Sequence, residues 1–116
     1  LVCFISGGTS SLLCLPPDLI SIQDLQQTYQ LLLDSGADID EMNTVRKHLS
    51  LVKGGNLAQK AHHLRLHSVL LSDVPHDKPE VIGSGPTVAD STTFSDAMSV
   101  LDRYNLSKNL PCSVLD

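Results

Sequence analysis

Two short apolar runs constrain the fold most, because each predicts a β-strand and a long helical segment separates them. The first is "LVCFI", residues 1–5, whose continuous apolar character predicts a strand buried on both faces. The second lies within "HSVLLSD", residues 67–73. Strands joined through helices favour parallel pairing in one sheet. The order of elements therefore predicts an α/β fold with a mainly parallel sheet.

The segments between and after these strands carry helix start signals. A serine or threonine followed three residues later by an acid is typical of a helix N-terminus. The serine or threonine side chain accepts a hydrogen bond from a backbone N–H of the first helical turn. A glycine after an amphipathic segment is typical of a helix end. We expect four helices, which begin after Ser21, Asp40, Lys53–Gly55 and Thr93, with Gly36 ending the first and the third running to about His63.

Composition excludes several classes of protein. The 116 residues have the length of one domain and a net charge of −5, which disfavours a general affinity for nucleic acid. The sequence has no apolar run as long as a membrane span and no secretory signal pattern, so we expect no membrane partner. The three cysteines are widely spaced. Their pattern predicts small buried hydrophobic residues in a reducing compartment, which indicates a cytoplasmic protein.

Three polar segments are expected to meet at one edge of the sheet. The carboxyl ends of parallel strands share an edge, and open α/β sheets bind ligands there. "SGGTSS", residues 6–11, follows the first strand, and "SDVPHD", residues 72–77, follows the second. The helix that begins near Lys53 precedes the second strand and should run antiparallel to it. Its amino end is therefore expected at the same edge.

The residue types in these segments suit a phosphate group. Glycine lets backbone N–H groups approach an anion, hydroxyls and a lysine add donors, and carboxylates are ligands of the type that magnesium takes. Each feature also has a structural interpretation, since a Gly-Gly pair fits a tight turn and an aspartate after a strand fits a turn cap. The candidate residues are Gly7, Gly8, Thr9, Ser10, Ser11, Lys53, Asp73 and Asp77.

Charge is distributed unevenly along the chain. No acid lies between Met42 and Ser72, and this segment holds five of the eight lysines and arginines. One basic segment in an acidic protein favours a small anionic ligand over a polymer. The residues alone therefore predict an α/β domain that handles phosphate.

Three longer motifs resemble the glycerate 2-kinase family. They are "ISGGTSSLL", "LLDSGADIDEMNTVRKHLSLVKGGNLA" and "LLSDVPHDKPEVIGSGPTVADSTTF", and the resemblance extends to about Leu110. It implies ATP-dependent phosphorylation of D-glycerate to 2-phosphoglycerate with Mg²⁺, on a Rossmann-like three-layer α/β/α sandwich. Residues 1–116 would form part of the N-terminal domain, incomplete at both ends. The family's C-terminal MOFRL domain is absent and would be the native partner surface, so we expect this chain alone to be inactive.

The resemblance also implies roles for individual residues, which we assign by their chemistry. The loop of Ser6, Gly7, Gly8, Thr9 and Ser10 would bind a phosphate of the substrate or nucleotide. Asn43 and Arg46 would face the cleft, where Arg46 suits the carboxylate of glycerate. Lys53, Gly54 and Gly55 would form a second anion-binding turn. Lys53, Arg46 and Asp73 are the expected catalytic residues, and Asp73 and Asp77 the expected Mg²⁺ ligands. This chain has His76 where the family commonly has glycine, which bears on the turn that directs Asp77.

The sequence leaves two other functions open. Members of the family are often named hydroxypyruvate reductases, which would require NAD(P)H, but the sequence has no Gly-x-Gly-x-x-Gly dinucleotide motif. The other is a truncated, non-enzymatic binding module.

Overall fold

The computed structural model describes residues 1–115, which form two units. The sheet unit comprises residues 1–15 and 50–91, and the helical unit comprises residues 16–49 and 92–115. In chain order the elements are β1 (Val2–Ile5), α1 (Thr9–Leu12), α2 (Ile22–Asp34), α3 (Ile39–His48), α4 (Asn56–Lys60), β2 (His67–Leu70), α5 (Phe94–Arg103) and α6 (Cys112–Leu115). Two 3-10 turns, Pro75–Asp77 and Ile82–Ser84, lie between β2 and α5.

The sheet unit contains the two predicted strands, and they pair in parallel. Val2 lies opposite His67 and Ile5 lies opposite Leu70. This pairing confirms the α/β class and the parallel arrangement. The described sheet has two strands. It does not by itself show a three-layer sandwich, which stays a prediction.

The prediction that β1 is buried on both faces is wrong for residues 1–115. Val2 and Phe4 are 54% and 80% exposed, whereas Ile5 is 6% exposed. The side chains of a strand alternate between the two faces of its sheet. One face of this two-stranded sheet packs against the segment around Gly83, where an added Cβ would lie 3.0 Å from the Ile5 Cγ2. The face of Val2 and Phe4 has no such cover in the described chain.

The helical unit packs α2, α3, α5 and α6 around an aliphatic core. Ser21 accepts a hydrogen bond from the Asp24 N–H at 3.0 Å, and Gly36 follows α2 with φ 81°, as predicted. Thr93 and Asp96 form the predicted capping box of α5. The buried cluster consists of Ile20, Leu25, Leu32, Val45, Leu49, Ala97, Val100, Leu101, Leu106 and Leu110.

The predicted N-cap of α3 is wrong by two residues. Asp38, and not Asp40, accepts the Glu41 N–H at 2.8 Å, while the Glu41 carboxylate accepts the Asp38 N–H at 3.1 Å. The reason is that Asp38 has a glutamate three residues later, and this residue completes a reciprocal capping box. Asp40 has Asn43 at that position.

Glu41 also anchors the C-terminal end of α5. The Tyr104 hydroxyl donates to its Oε2 at 2.6 Å, and Arg103 forms an ion pair with its Oε1. The Tyr104 hydrogen bond, followed by the one from the Asp38 N–H, lowers the pKa of Glu41 from its ordinary 4.5. The same hydrogen bond raises the pKa of Tyr104 from 10.0, because it stabilises the protonated phenol.

The cysteines differ from the prediction. Cys14 and Cys112 are exposed and Cys3 is half-buried, and all three are free thiols. Cys14 lies two residues before Pro16 and Cys112 begins the short α6, and neither position is in the core. None of the helices in the described chain is long and apolar enough to span a membrane.

Candidate anion-binding site

The first candidate segment, the loop after β1, lies against Asp73, three residues after the end of β2. Because β1 and β2 are parallel, the segments that follow them leave the sheet at the same edge. At this edge the Leu71 N–H donates to the Ile5 carbonyl at 2.8 Å. A Cβ at Gly7 would lie 2.6 Å from Cγ and 2.8 Å from Cβ of Asp73. These distances show that the Gly7 backbone contacts the Asp73 side chain, so that a Cβ at Gly7 would require Asp73 to move.

The loop itself is a tight turn closed by its own hydroxyls. The Thr9 hydroxyl donates to the Ser6 carbonyl at 2.6 Å, and the Ser11 hydroxyl donates to the Gly8 carbonyl at 3.1 Å. Gly8 has φ 80°, which favours glycine. The N–H groups of Gly7 and Gly8 donate to no acceptor within residues 1–115. The loop therefore presents two adjacent open N–H groups, an arrangement that suits an anion.

Asp73 is an exposed carboxylate beside these N–H groups. It accepts no hydrogen bond from the described residues, while the neighbouring Ser72 hydroxyl donates to the Val74 carbonyl at 3.2 Å. Across the part of the chain that the structure describes, no group of three or more His, Cys, Asp or Glu side chains could hold a metal ion. Magnesium often takes one or two protein carboxylates and completes its shell with water and phosphate. Asp73 and Asp77 are both exposed, and their predicted binding of Mg²⁺ stays a prediction.

The turn between Asp73 and Asp77 keeps a left-handed conformation without glycine. His76 has φ 65° and Asp77 has φ 49°. A side chain in this region costs roughly 1–2 kcal/mol per residue. His76 thus adopts the left-handed conformation that a glycine at this position would favour, and Asp77 follows it in the same turn.

Lys53 lies inside the protein, although the sequence predicted that it would donate to a phosphate. Its side chain is 0% exposed, and its ammonium donates to the Ser10 carbonyl and lies 3.5 Å from the Ser10 Oγ. The Ser10 Oγ is in turn hydrogen-bonded to the Ser84 Oγ at 2.6 Å. Lys53 thus contacts the candidate loop from its inner side. Direct contact between Lys53 and a phosphate stays a prediction.

The Gly54–Gly55 turn docks on the segment from Ser84 to Val88. The Gly54 N–H donates to the Ser84 carbonyl at 3.0 Å and the Gly55 N–H to the Gly85 carbonyl at 2.8 Å. Gly55 has φ 82°, and a Cβ there would lie 2.8 Å from the Val88 carbonyl oxygen. In this conformation the two N–H groups face protein carbonyls, so their predicted role in anion binding stays a prediction.

Sequence reasoning missed Ser84, which joins this turn to the loop. It is fully buried and non-glycine, with φ 63°. The available signal was its position between Gly83 and Gly85, because paired glycines often indicate a tightly packed turn.

Asn43 and Arg46 belong to α3 of the helical unit. The Arg46 guanidinium lies over the Tyr29 ring, 5.1 Å from its centroid. Its Nε is buried and has no acceptor among residues 1–115, and Asn43 is buried as well. Their predicted part in binding glycerate stays a prediction.

Comparison with known proteins places the chain in a family. The family model described as "Domain of unknown function (DUF4147)" matches residues 1–116. The glycerate 2-kinase of Pyrococcus horikoshii is 51% identical over 110 residues, which are 95% of this chain and 25% of that protein. A protein of Agrobacterium vitis, provisionally named a hydroxypyruvate reductase, is 52% identical over 105 residues, 90% of this chain and 24% of that protein.

Solved structures agree with these matches. The glycerate kinase of Thermotoga maritima superimposes with a TM-score of 0.91 at 44% identity, over 97% of this chain and 27% of that one. The PH0495 protein of Pyrococcus horikoshii superimposes with a TM-score of 0.87 at 50% identity, over 97% of this chain and 26% of that one. The chain thus spans about a quarter of the length of these relatives. It belongs to the DUF4147 family, the N-terminal domain of the glycerate kinase family.

Proposed function

We propose that this chain supplies the phosphate-binding side of an ATP-dependent glycerate 2-kinase. In that reaction the 2-hydroxyl of D-glycerate loses its proton and its oxygen forms a bond to the γ-phosphorus of ATP. The bond from the γ-phosphorus to the oxygen that bridges it to the β-phosphate breaks, and ADP leaves. The observation that carries the proposal is the pair of open Gly7 and Gly8 N–H groups beside the exposed Asp73. The kinase names of the Pyrococcus and Thermotoga relatives supply the reaction class.

The proposal includes a larger fold than the described sheet. We propose that residues 1–116 are part of an N-terminal domain with a Rossmann-like three-layer sandwich, and that a C-terminal MOFRL domain forms the other side of the active-site cleft. The support is that this chain matches about a quarter of each kinase relative. The exposed apolar side chains of Val2 and Phe4 are consistent with a further layer of a longer chain that packs on this face of the sheet.

The roles of the residues follow from phosphoryl-transfer chemistry, which depends mostly on positioning and on charge neutralisation. The Ser6–Ser10 loop would hold phosphate oxygens through the Gly7 and Gly8 N–H groups. Asp73 either orients the attacking hydroxyl or, with Asp77, holds Mg²⁺. When bound, Mg²⁺ would neutralise charge on the phosphate oxygens. Arg46 would form paired hydrogen bonds with the carboxylate of glycerate.

A reductase activity is the second candidate, because the Agrobacterium relative carries that name. It would need a nicotinamide cofactor, and the sequence has no dinucleotide-binding motif. The third candidate, a binding module without activity, agrees with the short length of the chain relative to the kinases. The three free cysteines support a cytoplasmic location for any of these functions.

A chimeric enzyme tests the proposed reaction. Residues 1–116 would replace the matching quarter of the Thermotoga maritima D-glycerate 2-kinase, which is 47% identical over 102 residues. We expect D-glycerate-dependent formation of ADP by the chimera and none by the 116-residue chain alone. Asp73→Asn in the chimera should reduce kcat at least about 100-fold, the range for loss of a group that acts on the reacting atoms.

Parallel measurements separate the alternatives. A folded chimera that oxidises NADH with hydroxypyruvate and forms no ADP would support the reductase and contradict the kinase. Robust turnover by the 116-residue chain alone would contradict the expectation that a second domain is required.

A further inference from the structure

We propose that Ser84 is a positioning residue, which holds Ser10 and thereby keeps the Gly7 and Gly8 N–H groups open to a phosphate. The inference rests on the proposed function, because it assigns a role in the same anion-binding loop. Ser84 lies 74 residues from Ser10 in the chain, and their hydroxyl oxygens are 2.6 Å apart.

The backbone at Ser84 favours glycine, yet the residue is a serine. Its φ of 63° lies in the left-handed region, where a side chain is unfavourable. The residues on either side, Gly83 and Gly85, have φ 59° and are glycines. A third glycine would suit the backbone better than serine does. Serine differs from glycine here by a hydroxyl, and this hydroxyl forms the hydrogen bond with Ser10.

Ser84 also connects the loop to the interior of the sheet unit. Its carbonyl accepts the Gly54 N–H at 3.0 Å, so it is tied to the residue after Lys53. The buried Lys53 ammonium donates to the Ser10 carbonyl. A buried charge is costly unless it is hydrogen-bonded, so this contact fixes both partners. Ser10 is therefore held at its carbonyl by Lys53 and at its hydroxyl by Ser84.

The position of Ser10 determines the geometry of the anion loop. Ser10 lies in the first turn of α1, two residues after Gly8, and the Thr9 hydroxyl closes the loop onto Ser6. The segment that carries Ser84 also packs on the loop, since a Cβ at Gly83 would lie 3.3 Å from the Thr9 Cβ. Removing the Ser84 hydroxyl would leave Ser10 held at its carbonyl by Lys53 and would loosen the start of α1, next to the Gly7 and Gly8 N–H groups.

The experiment compares phosphate binding and stability in the 116-residue chain. The ¹⁵N-labelled protein is titrated with inorganic phosphate at constant ionic strength, with chloride as the reference ion, and the Gly7 and Gly8 amide shifts are followed. Ser84→Gly removes the hydroxyl and relieves the backbone, so its urea midpoint should change little. Its phosphate affinity should fall about three- to ten-fold, the range expected from one hydrogen bond.

Two further variants separate positioning from a general structural effect. Ser10→Ala removes the same bond from the other side and should lower the affinity similarly, and the double variant should be no weaker than the weaker single variant. Ser68→Ala is the matched control, because it removes a bond of 2.8 Å to the Thr87 hydroxyl in the same unit. It should leave phosphate affinity unchanged.

The outcomes distinguish this inference from the proposed function. Wild-type affinity in Ser84→Gly or in Ser10→Ala overturns the positioning role and leaves the anion loop in place. Additive losses in the double variant also overturn it. An absence of phosphate-dependent shifts at Gly7 and Gly8 in the wild-type chain overturns both proposals. Should Ser84→Gly not fold, Ser10→Ala decides the question.

Discussion

Substitution of Gly55 by alanine tests how the Lys53–Gly55 turn is docked. Gly55 has φ 82° and a Cβ there would lie 2.8 Å from the Val88 carbonyl oxygen. Gly8, in the same unit, has φ 80° and an added Cβ would meet nothing within 4 Å. The two sites therefore share a backbone conformation and differ in the space around the new methyl group.

The magnitudes follow from this difference. Alanine in the left-handed region costs roughly 1–2 kcal/mol, and this cost applies to both variants. At Gly55 the clash is with backbone and adds about 1–3 kcal/mol, as overpacking does. A backbone shift that relieves the clash would weaken the 2.8 Å bond from the Gly55 N–H to the Gly85 carbonyl. We expect Gly55→Ala to lower the free energy of unfolding by about 2–5 kcal/mol and Gly8→Ala by roughly 1–2 kcal/mol.

Urea denaturation followed by circular dichroism measures both variants. The slope m should stay unchanged, so that the shift of the midpoint reports stability alone. Equal destabilisation by Gly55→Ala and Gly8→Ala would refute the reasoning, because it would show that the Val88 carbonyl does not restrict the turn.

Three further predictions test other parts of the structure. Gly7→Ala should destabilise the chain by about 1–3 kcal/mol, since rotating Asp73 cannot remove the clash with its Cβ; an unchanged urea midpoint would contradict the contact. His76→Gly should raise the free energy of unfolding by about 1 kcal/mol, because glycine adopts φ 65° without strain; a loss of stability would show that the imidazole contributes more than the backbone costs. The hydrogen bond from Tyr104 lowers the pKa of Glu41 below 4.5. Ionised Glu41 therefore stabilises the folded protein above pH 4.5, and this contribution is lost as the pH falls through the folded-state pKa. Glu41→Gln should flatten that part of the stability–pH profile, and an unaltered acid limb would contradict the assignment.

Local signals were predictable from the sequence. The start of α2 at Ser21, its end at Gly36 and the capping box of Thr93 depend on residues within three or four positions of each other. The meeting of Gly7 and Asp73 was also predictable, because the rule that parallel strands share an edge needs only the order of the strands.

Features that depend on distant packing were not predictable in this way. The burial of Lys53 and its bond to Ser10 bring together residues 43 positions apart. Gly83 and Gly85 indicate a tight turn at Ser84, but they do not show that it bonds to Ser10 or accepts the Gly54 N–H. The face of β1 was misjudged because a continuous apolar run cannot show which segment covers each side. Asp38 was missed as a cap because Asp40 offers the same side chain two residues later.

The central claim is that the Gly7 and Gly8 N–H groups beside Asp73 form a phosphate site. The most direct measurement is the ¹H–¹⁵N spectrum of the 116-residue chain during titration with ADP, with adenosine as the phosphate-free control. We predict that the largest shifts occur at Gly7 and Gly8, with ADP and not with adenosine. Shifts centred instead on Gly54 and Gly55, or the same shifts with adenosine, would contradict the account.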